Sequence, residues 1–329
     1  MIVDAHNDLL AELVFRRAEE RPFEHYWLPE LEGGGVGLQV CPIYTADETS
    51  DDAALRFGLQ QAAAYQRLLA ESGGGIVSVL RAADLERLNR SRGVMLSLEG
   101  AEALGGDPQL AHAYWALGVR MVSLTWNRRN ALADGLGVDD DRGLSPLGEE
   151  LVDILAGLGV MLDLVHASPR TFADVLARAP VADVLVSHAG CRAVCDTPRN
   201  LDDDQLRAIA TRGGVVGMMA LPLTVDPDQP TIERLIDHID HAVSVVGIEH
   251  VRLGGDFIRQ VARATGLTEI VGGLMPPGMT ADDAIEDLAG PADYPNLVVA
   301  LERRGYTGDR LEAILSGNLL RLFRNALPA

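Results

Sequence analysis

The stretch GVMLDLVHASPRTFADVLARA, residues 159–179, contains one complete strand-and-helix unit. Its first part is a short, mostly apolar run that ends at His166, and such a run predicts a buried β-strand. Ser168 and Pro169 then supply a helix N-cap followed by proline in the first helical position. Apolar residues continue at helical spacing to the end of the stretch. A strand followed directly by a helix is the building unit of α/β folds.

The same unit recurs along the whole chain. Further apolar runs predict strands at residues 2–8, 35–44, 93–100, 119–126, 184–190, 213–221 and 250–257. Amphipathic segments such as 51–72 and 145–158 lie between them and predict helices. Strands that alternate with helices without a change in composition indicate a (β/α)8 TIM barrel, formed by residues 1–329 as a single domain. A doubly wound sheet would normally need a Gly-rich first turn, which this sequence lacks.

Two segments after the last predicted strand are expected to depart from the regular pattern. Residues 259–296 are rich in Gly, Pro and Asp, and we interpret them as an excursion over the catalytic face. Residues 305–327 predict a helix, a turn at Gly317 and Asn318, and a closing helix.

Composition narrows the possible functions. The 329 residues carry a net charge of -20, which argues against a nucleic-acid partner and against an anionic membrane surface. The sequence has no apolar run of about 18 residues or more and no signal-peptide pattern, so we expect a protein that is neither secreted nor membrane-anchored. Three cysteines, Cys41, Cys191 and Cys195, are too few for a disulfide framework and favour a cytoplasmic protein with reduced thiols.

The basic residues are all of one type. All 28 are arginine, because the sequence contains no lysine. This excludes a lysine Schiff base, pyridoxal phosphate bound through lysine, and a Walker-type phosphate loop. It also excludes metal ions bridged by a carbamylated lysine, so any bridging ligand must come from another residue type.

Ionisable residues mark the C-terminal ends of several predicted strands. These residues are His6, Asp8, Glu99, His166, His188 and Asp256. In a barrel, these strand ends open on one face, which is where the active site of this fold lies. Imidazole and carboxylate ligands suit Zn²⁺, Mn²⁺, Fe²⁺ or Co²⁺ better than Ca²⁺ or Mg²⁺. The sequence therefore predicts a transition-metal site at this face.

The number of candidate ligands indicates two metal ions. His6 and Asp8 lie two residues apart, so on a strand both side chains project to the same side. The histidines together with one aspartate and one glutamate exceed the protein ligands that a catalytic zinc ion commonly takes. Two ions with a shared carboxylate account for the excess, and Glu99 is best placed to bridge them. A water or hydroxide between two cations is a nucleophile near neutral pH.

Several motifs, taken in order, carry a resemblance to a known family. They are DAHNDLL (4–10), SLEG (97–100), LVHAS (164–168), VSHAG (186–190), PRNLDDDQL (198–206), GIEHVRLGGDF (247–257) and GNLLRLF (317–323). Together they resemble the membrane dipeptidase (renal dipeptidase) family, peptidase family M19, which are metallopeptidases of the amidohydrolase type. The resemblance extends from residue 3 to about residue 325 and implies the same barrel.

The resemblance implies a metal-binding role for five of the strand-end residues. His6 and Asp8 would hold one zinc ion. His166 and His188 would hold the other, and Glu99 would bridge both ions.

The resemblance also implies two residues that act on the substrate. Asp256 would be the acidic residue beside the bridging water, and it would pass the proton of that water to the leaving amine. Arg199 would bind the substrate carboxylate, for which its planar guanidinium suits bidentate pairing.

One motif departs from the family pattern. The family commonly shows LTHN at the end of the fourth strand, where its histidine contacts the substrate carbonyl or stabilises the tetrahedral intermediate. This sequence has LTWN at 124–127, with Trp126 in place of that histidine. An indole N–H can donate one hydrogen bond, but the ring can neither bind metal nor become cationic. The role is therefore altered, or is taken by Asn127, Arg128 or Arg129, or by the metals. We expect Trp126 and Asn127 to contact substrate, with a changed substrate preference and retained hydrolysis.

These observations predict a binuclear zinc dipeptidase. Its substrate would be a small dipeptide with a free C-terminal carboxylate, with L-D as well as L-L pairs as candidates. An alternative is an N-acyl amino acid, lactam or lactone hydrolase that uses the same metals. A binding barrel without catalysis is a third hypothesis, but it requires missing ligands, and none is missing. A homodimer is a candidate assembly.

Overall fold

The strands of the protein form one parallel sheet. The computed structural model describes residues 1–45, 50–179, 184–266 and 279–329. The strands in these ranges are β1 (Ile2–Asp4), β2 (Val36–Tyr44), β3 (Ile76–Ser78), β4 (Arg92–Glu99), β5 (Val119–Ser123), β6 (Met161–Asp163), β7 (Val184–Ala189), β8 (Val216–Met218) and β9 (Val251–Leu253). Hydrogen-bonded neighbours follow the order β1-β2-β4-β5-β6-β7-β8-β9, and β3 pairs with β4 off this path. This nearly closed path of eight strands, with helices between them, confirms the predicted (β/α)8 barrel.

Helices connect the strands and surround them. The α-helices in the described ranges are α1 (Leu9–Phe15), α2 (Leu28–Gly33), α3 (Asp51–Glu71), α4 (Ala111–Leu117), α5 (Pro146–Leu158), α6 (Pro169–Arg178), α7 (Asp203–Thr211), α8 (Pro222–Val225), α9 (Ile232–Val246), α10 (Arg259–Thr265), α11 (Tyr294–Arg304), α12 (Asp309–Glu312) and α13 (Asn318–Ala326). Short 3₁₀ segments span Ala82–Asn89, Ala101–Leu104, Pro108–Leu110, Ile248–His250 and Pro291–Asp293, and π-helical turns span Phe23–Trp27 and Ala313–Gly317. None of these helices combines the length and apolar character that crossing a membrane requires.

The predicted helix starts are confirmed in α5 and α6. Ser145 caps α5 by accepting a hydrogen bond from the N–H of Gly148, and Ser168 caps α6 in the same way from Thr171. Each capping serine precedes a proline in the first turn. The serine oxygen satisfies a backbone N–H that has no partner inside the helix, while proline needs none at that position.

Apolar side chains fill the interior of the barrel. Inward-facing residues from successive strands, among them Val3, Val40, Met95 and Leu185, form one buried cluster. Helix α13 adds Leu319, Leu322 and Phe323 to the same cluster. A second, larger cluster lies between the strands and the surrounding helices. Burial of this apolar surface is the main force that holds helices and strands together.

Several sequence predictions differ from the structure. The strands predicted at 159–166, 213–221 and 250–257 are shorter, since β6, β8 and β9 each span three residues. β3 was not predicted, because three residues are too few to show a periodic pattern. β1 ends at Asp4, so the next residues belong to a loop and not to a strand extending to residue 8. Gly317 and Asn318 form no turn, since both keep helical backbone angles and the chain continues into α13. Asn318 instead donates two hydrogen bonds to backbone carbonyls beside β9.

The predicted excursion at 259–296 is described only in part. It starts with α10, and its last residues form the beginning of α11. Residues 267–278 lie outside the described residues.

Side chains join the first and last strands of the barrel. The carboxylate of Asp4 accepts a hydrogen bond of 2.9 Å from the N–H of Gly255. The amide oxygen of Asn7 accepts another of 2.9 Å from the N–H of Phe257. Both residues belong to the DAHND stretch, so this stretch closes the barrel as well as carrying candidate ligands.

Candidate metal centre

The predicted strand-end residues converge at one end of the barrel. Glu99 is the last residue of β4, His188 lies within β7, and the others follow β1, β6 and β9. His6, Glu99, His166, His188 and Asp256 are buried, and Asp8 is half-buried. The convergence arises because parallel strands of a barrel direct their C-terminal ends to the same face.

Glu99 occupies the centre of this group. One carboxylate oxygen, Oε1, lies 3.0 Å from Nε2 of His166 and 3.5 Å from Nε2 of His188. The other oxygen, Oε2, lies 3.4 Å from Nε2 of His6. The two oxygens of one carboxylate therefore face different histidines, which is the arrangement that a ligand shared between two ions requires.

The ligand-type atoms form three overlapping sets. In each set the atoms lie within 4.8 Å of one another, and the sets are His6–Asp8–Glu99, Glu99–His166–His188 and His6–His188–Asp256. Nε2 of His6 is buried and has no hydrogen-bond partner among the described residues. A buried polar atom without a protein partner is suited to bind an ion or a water molecule. The donor set of imidazoles and carboxylates fits zinc or a similar transition metal.

Two of the histidines are supported from behind. Nδ1 of His166 lies 2.6 Å from Oδ1 of Asn127, and Nδ1 of His188 lies 2.8 Å from Oγ of Ser187. An amide oxygen can only accept, so Nδ1 of His166 carries the hydrogen and Nε2 presents its lone pair. Metal-binding histidines commonly have such partners, which fix the ring and its tautomer.

The contacts of Ser187 with His188 and of Asn127 with His166 were missed at the level of sequence. A serine directly before a histidine, as in VSHAG, is too common a pairing to indicate a contact. The carbonyl oxygen of Asn127 bonds His166, and a contact of this residue with substrate stays a prediction. Its amide nitrogen has no hydrogen-bond partner among the described residues, so that group is still open to a substrate.

Backbone conformation also distinguishes two of these residues. His166 has φ of 61° and Asp256 has φ of 52°, in the left-handed region that residues other than glycine rarely adopt. Their backbones are held in place, since the carbonyl of His166 accepts the N–H of Leu136 and the N–H of Asp256 donates to the carbonyl of His6. Strained conformations of this kind cluster at functional sites.

Electrostatic interactions shift the pKa values of the central pair in opposite directions. Burial opposes the charged form of both groups, but each charge stabilises the other. The negative charge of Glu99, followed by those of Asp8 and Asp256, outweighs burial and raises the pKa of His6 to about 10. The same attraction, together with hydrogen bonds from the histidines, holds the pKa of Glu99 well below its usual range.

The remaining histidines and Asp256 behave differently. Burial, followed by the positive charge of Arg199, lowers the pKa of His166 to about 3. Burial and the charge of His6 also lower the pKa of His188 well below its usual value. Burial raises the pKa of Asp256 to about 6, against the opposing effect of His6. His166 and His188 are therefore neutral near pH 7, which is the form that binds metal.

Arg199 lies inside the site and is almost fully buried. One of its terminal nitrogens donates to the backbone carbonyl of His188 at 3.0 Å and lies 3.2 Å from Nε2 of His166. Asp256 and Glu99 favour its charged form, although burial lowers its pKa. A buried guanidinium held close to the candidate ligands can bind an anionic group that enters the site.

Trp126 forms part of the wall beside His166. The indole ring lies 5.6 Å from the ring of His166 and 5.5 Å from the ring of Tyr44, measured between centroids. Its N–H has no hydrogen-bond partner among the described residues. Arg129, one of the residues predicted to take over the role of the family histidine, forms an ion pair with Asp134.

Comparison with known proteins identifies the family. A sequence profile described as membrane dipeptidase (peptidase family M19) matches residues 1–275. The chain belongs to this family. Peptidase family M19 was the family that the motifs indicated, so that prediction is confirmed.

Curated proteins named as dipeptidases match almost all of this chain. Dipeptidase 3 of Macaca fascicularis is 29% identical over 343 residues, which cover 99% of the chain and 65% of that protein. An uncharacterized dipeptidase of Schizosaccharomyces pombe is 32% identical and is matched over 80% of its length. The chain thus spans about 65% of the length of the mammalian relative.

Solved structures of metallopeptidases share the fold. The structure of dipeptidase AC, a metallo peptidase of this family, has a TM-score of 0.85 at 23% identity, over 100% of this chain and 99% of that one. A metallo peptidase from Rhodobacter sphaeroides, liganded with a phosphinate mimic of the dipeptide L-Ala-D-Ala, has a TM-score of 0.82 at 23% identity, with 99% of each chain covered. At this identity, the likeness shows that the barrel is shared.

Proposed function

We propose that this protein is a binuclear zinc dipeptidase that cleaves dipeptides with a free C-terminal carboxylate. The observation that carries the proposal is Glu99, whose two oxygens face different histidines at the centre of the site. Membership of peptidase family M19 supports the same activity. We propose both that the site binds two metal ions and that the metal is zinc.

The residues divide into two sets around Glu99. His6 and Asp8 would hold one ion with Glu99, and His166 and His188 would hold the other with the same carboxylate. Bound ions would supply Lewis acidity toward the scissile carbonyl and the attacking water. Asn127 and Ser187 fix the rings of His166 and His188, so these ligands are positioned before any ion binds.

Asp256 is proposed as the group that moves the proton. Its two carboxylate oxygens each lie 3.9 Å from Nε2 of a histidine, one from His6 and the other from His188. This carboxylate therefore borders both halves of the site. It can accept a proton from the attacking water and deliver it to the leaving nitrogen, which completes cleavage of the amide.

Arg199 and Trp126 are proposed to bind the substrate. Arg199 would pair with the C-terminal carboxylate, because it is the buried guanidinium that contacts the candidate ligands. Trp126 would offer an indole N–H and an aromatic surface to the substrate, in place of an imidazole. The free amide nitrogen of Asn127 would add a second donor.

The test is a substrate screen with zinc-loaded protein. The panel contains L-L dipeptides, L-D dipeptides, N-acyl amino acids, lactams and lactones, and release of product is measured for each. L-D dipeptides are included because the related Rhodobacter sphaeroides enzyme was solved with a mimic of L-Ala-D-Ala. We expect wild-type protein to prefer dipeptides. We also expect Arg199→Met to raise the KM selectively for substrates with a free carboxylate.

Other outcomes of the screen identify the alternatives. Turnover of N-acyl amino acids, lactams or lactones in preference to dipeptides would assign the same site to another hydrolase. Protein that takes up no metal and cleaves none of the amides would support a binding barrel. Metal content per chain, measured by elemental analysis, distinguishes one ion from two.

A further inference from the structure

We propose that a cavity beside the metal centre is a second binding site, which takes a free amino acid with an apolar side chain. The cavity has a volume of about 330 Å³ and is bordered by the barrel and by helices α6 and α7. Ligand pockets in proteins have volumes of about 300–1,000 Å³, so a single amino acid fits. The choice of an amino acid as the ligand rests on the proposed function, because amino acids are the products of a dipeptidase.

The position of the cavity follows from how the surrounding helices pack. Helix α6 packs against α5, and helix α7 packs against α9. The cavity occupies space between α6 and α7, and Leu164 and Val186 of the barrel wall form its floor. Pro169, Pro198 and Asp204 also border the cavity and are exposed. The cavity is therefore open to solvent, and a small molecule can enter it.

Most of the inner surface of the cavity is apolar. Phe172 and Leu176 of α6 face it from one side, and Ala208 of α7 faces it from the other. Phe172 belongs to the buried apolar cluster between strands and helices, and Leu176 and Ala208 pack against that cluster. Transfer of an apolar side chain from water to such a surface is favourable. The cavity thus suits a ligand with an apolar side chain.

A buried guanidinium nitrogen offers a polar contact to the ligand. Arg192 lines the cavity, and its Nε is buried and has no hydrogen-bond partner among the described residues. The carboxylate of Asp196 lies 3.9 Å from this Nε, which is too far for a hydrogen bond. A buried donor without an acceptor is costly. A ligand carboxylate would accept from this nitrogen and would also be attracted by the charge of the guanidinium.

Carboxylates at the border of the cavity complete a pattern that matches a zwitterion. Asp202 and Asp204 both border the cavity. Asp202 also caps α7, and Asp204 is exposed, where it pairs with Arg207. A free amino acid carries a carboxylate and an ammonium group on one carbon atom. Arg192 and these aspartates can therefore attract opposite charges of one ligand, and such complementarity favours specificity.

The cavity shares two residues with the metal centre. His166 and Arg199 both form part of its wall. A ligand carboxylate beside Arg192 would place a negative charge close to the buried guanidinium of Arg199. This charge would weaken the attraction of Arg199 for the carboxylate of a substrate. Binding of an amino acid in the cavity should therefore raise the KM for dipeptides.

Calorimetric titration of metal-free protein tests the site without any need for hydrolysis. L-Leucine and L-phenylalanine should bind at least about 10-fold more tightly than glycine, which lacks an apolar side chain. L-Leucinamide, which has no carboxylate, should bind about 10-fold less tightly than L-leucine. Arg192→Met should weaken the binding of L-leucine by a similar factor. Equal affinity for glycine and L-leucine would overturn the proposal.

Ala208→Phe fills the cavity, and Ala210→Phe is the matched control. Both alanines are half-buried residues of α7, and of the two it is Ala208 that lines the cavity. Binding of L-leucine should be lost in Ala208→Phe and should stay within about twofold of wild type in Ala210→Phe. Thermal unfolding of both variants reports any damage to the fold separately.

Steady-state kinetics with zinc-loaded protein measures the effect of the cavity on hydrolysis. Added L-leucine should raise the KM for a dipeptide in wild type and in Ala210→Phe, and should raise it less in Ala208→Phe. Equal inhibition of wild type and Ala208→Phe would overturn the coupling between the cavity and Arg199, because the inhibitor would then act at the metal centre alone.

The outcomes distinguish this site from the proposed function. Wild-type affinity for L-leucine in Ala208→Phe overturns the cavity site and leaves the dipeptidase proposal intact. Wild-type protein that binds no L-leucine has the same meaning. Protein that binds L-leucine in the cavity but hydrolyses no dipeptide supports the site and overturns the proposed function.

Discussion

The carboxylate of Asp4 accepts a hydrogen bond of 2.7 Å from the hydroxyl of Tyr294, 290 residues later in the chain. Asp4 is fully buried, and its other oxygen accepts the backbone N–H groups of Gly255 and His6. Burial raises the pKa of Asp4, while each of these donors favours the ionised form. The residue therefore fixes the loop that carries His6 and the segment that carries Asp256.

Tyr294→Phe should destabilise the protein by about 1–3 kcal/mol, because a buried carboxylate loses a donor that water cannot replace. Urea denaturation of metal-free protein measures this loss. Tyr306→Phe is the matched control, since its hydroxyl donates to Asp240, whose carboxylate is partly exposed and can bond water instead. Equal losses in both variants would contradict the role assigned to Asp4.

Asp256→Asn should lower turnover by about 10²- to 10⁴-fold, because an amide cannot take up the proton of the attacking water. Asparagine tolerates left-handed backbone angles, so the fold should be preserved. Asp287→Asn is the control, since Asp287 is exposed and has a similar φ of 62°. Steady-state kinetics with a dipeptide measures both. Full turnover in Asp256→Asn would remove this residue from the mechanism.

Trp126→His should change the order of preference among dipeptides, because imidazole can accept a hydrogen bond or carry a charge and indole cannot. The measurement is kcat/KM across the substrate panel. Trp126→Phe separates the two properties of the indole, since it keeps the aromatic surface and removes the N–H. An unchanged profile in Trp126→His would show that this position does not set the preference.

His238→Asn should make the protein less sensitive to acid. His238 is buried, accepts the N–H of Cys191 at Nδ1 and bonds the carbonyl of Val225 through Nε2. Burial lowers its pKa below 6.5, so the unfolded chain binds a proton that the folded protein does not. The folded state of wild type should therefore lose stability as pH falls below about 6.5, and keep it above that value.

The free energy of unfolding, measured between pH 5 and 8, tests this sign. The free energy of unfolding should change less with pH in His238→Asn than in wild type. The amide oxygen of asparagine can still accept from the N–H of Cys191, but the side chain does not titrate. His112→Asn provides the control, because His112 is exposed on α4. A wild-type slope in His238→Asn would mean that other groups cause the acid sensitivity.

The barrel could be predicted from sequence because its strands are short apolar runs between amphipathic helices. Local patterns did not reveal where strands end. The strand predicted at 2–8 extends past the observed end of β1 at Asp4. Beyond this point the side chains of Asp4 and Asn7 make the hydrogen bonds to the segment that follows β9. Similarly, glycine at position 317 is a residue type typical of turns, but packing of α13 into the barrel keeps its backbone helical.

The ligand-type residues of the site could be predicted for a topological reason. Residues at the C-terminal ends of barrel strands share one face wherever they lie in the chain, so Glu99 and Asp256 could be grouped without knowing any distance. The support of His188 by Ser187 and the burial of Arg199 depend on side-chain directions. Those directions are set by packing between distant segments, which a single sequence does not display.

The hydrogen bond between Asp4 and Gly255 joins residues 251 positions apart, so it affects the order in which the protein folds. During synthesis His6 and Asp8 are made long before β9, so their loop is fixed only after β9 has followed. Contacts that close so long a segment are slow to form, because the loss of chain entropy precedes any gain from the contact. Catalytic competence should therefore appear at the last step of folding, when the two ends of the barrel meet.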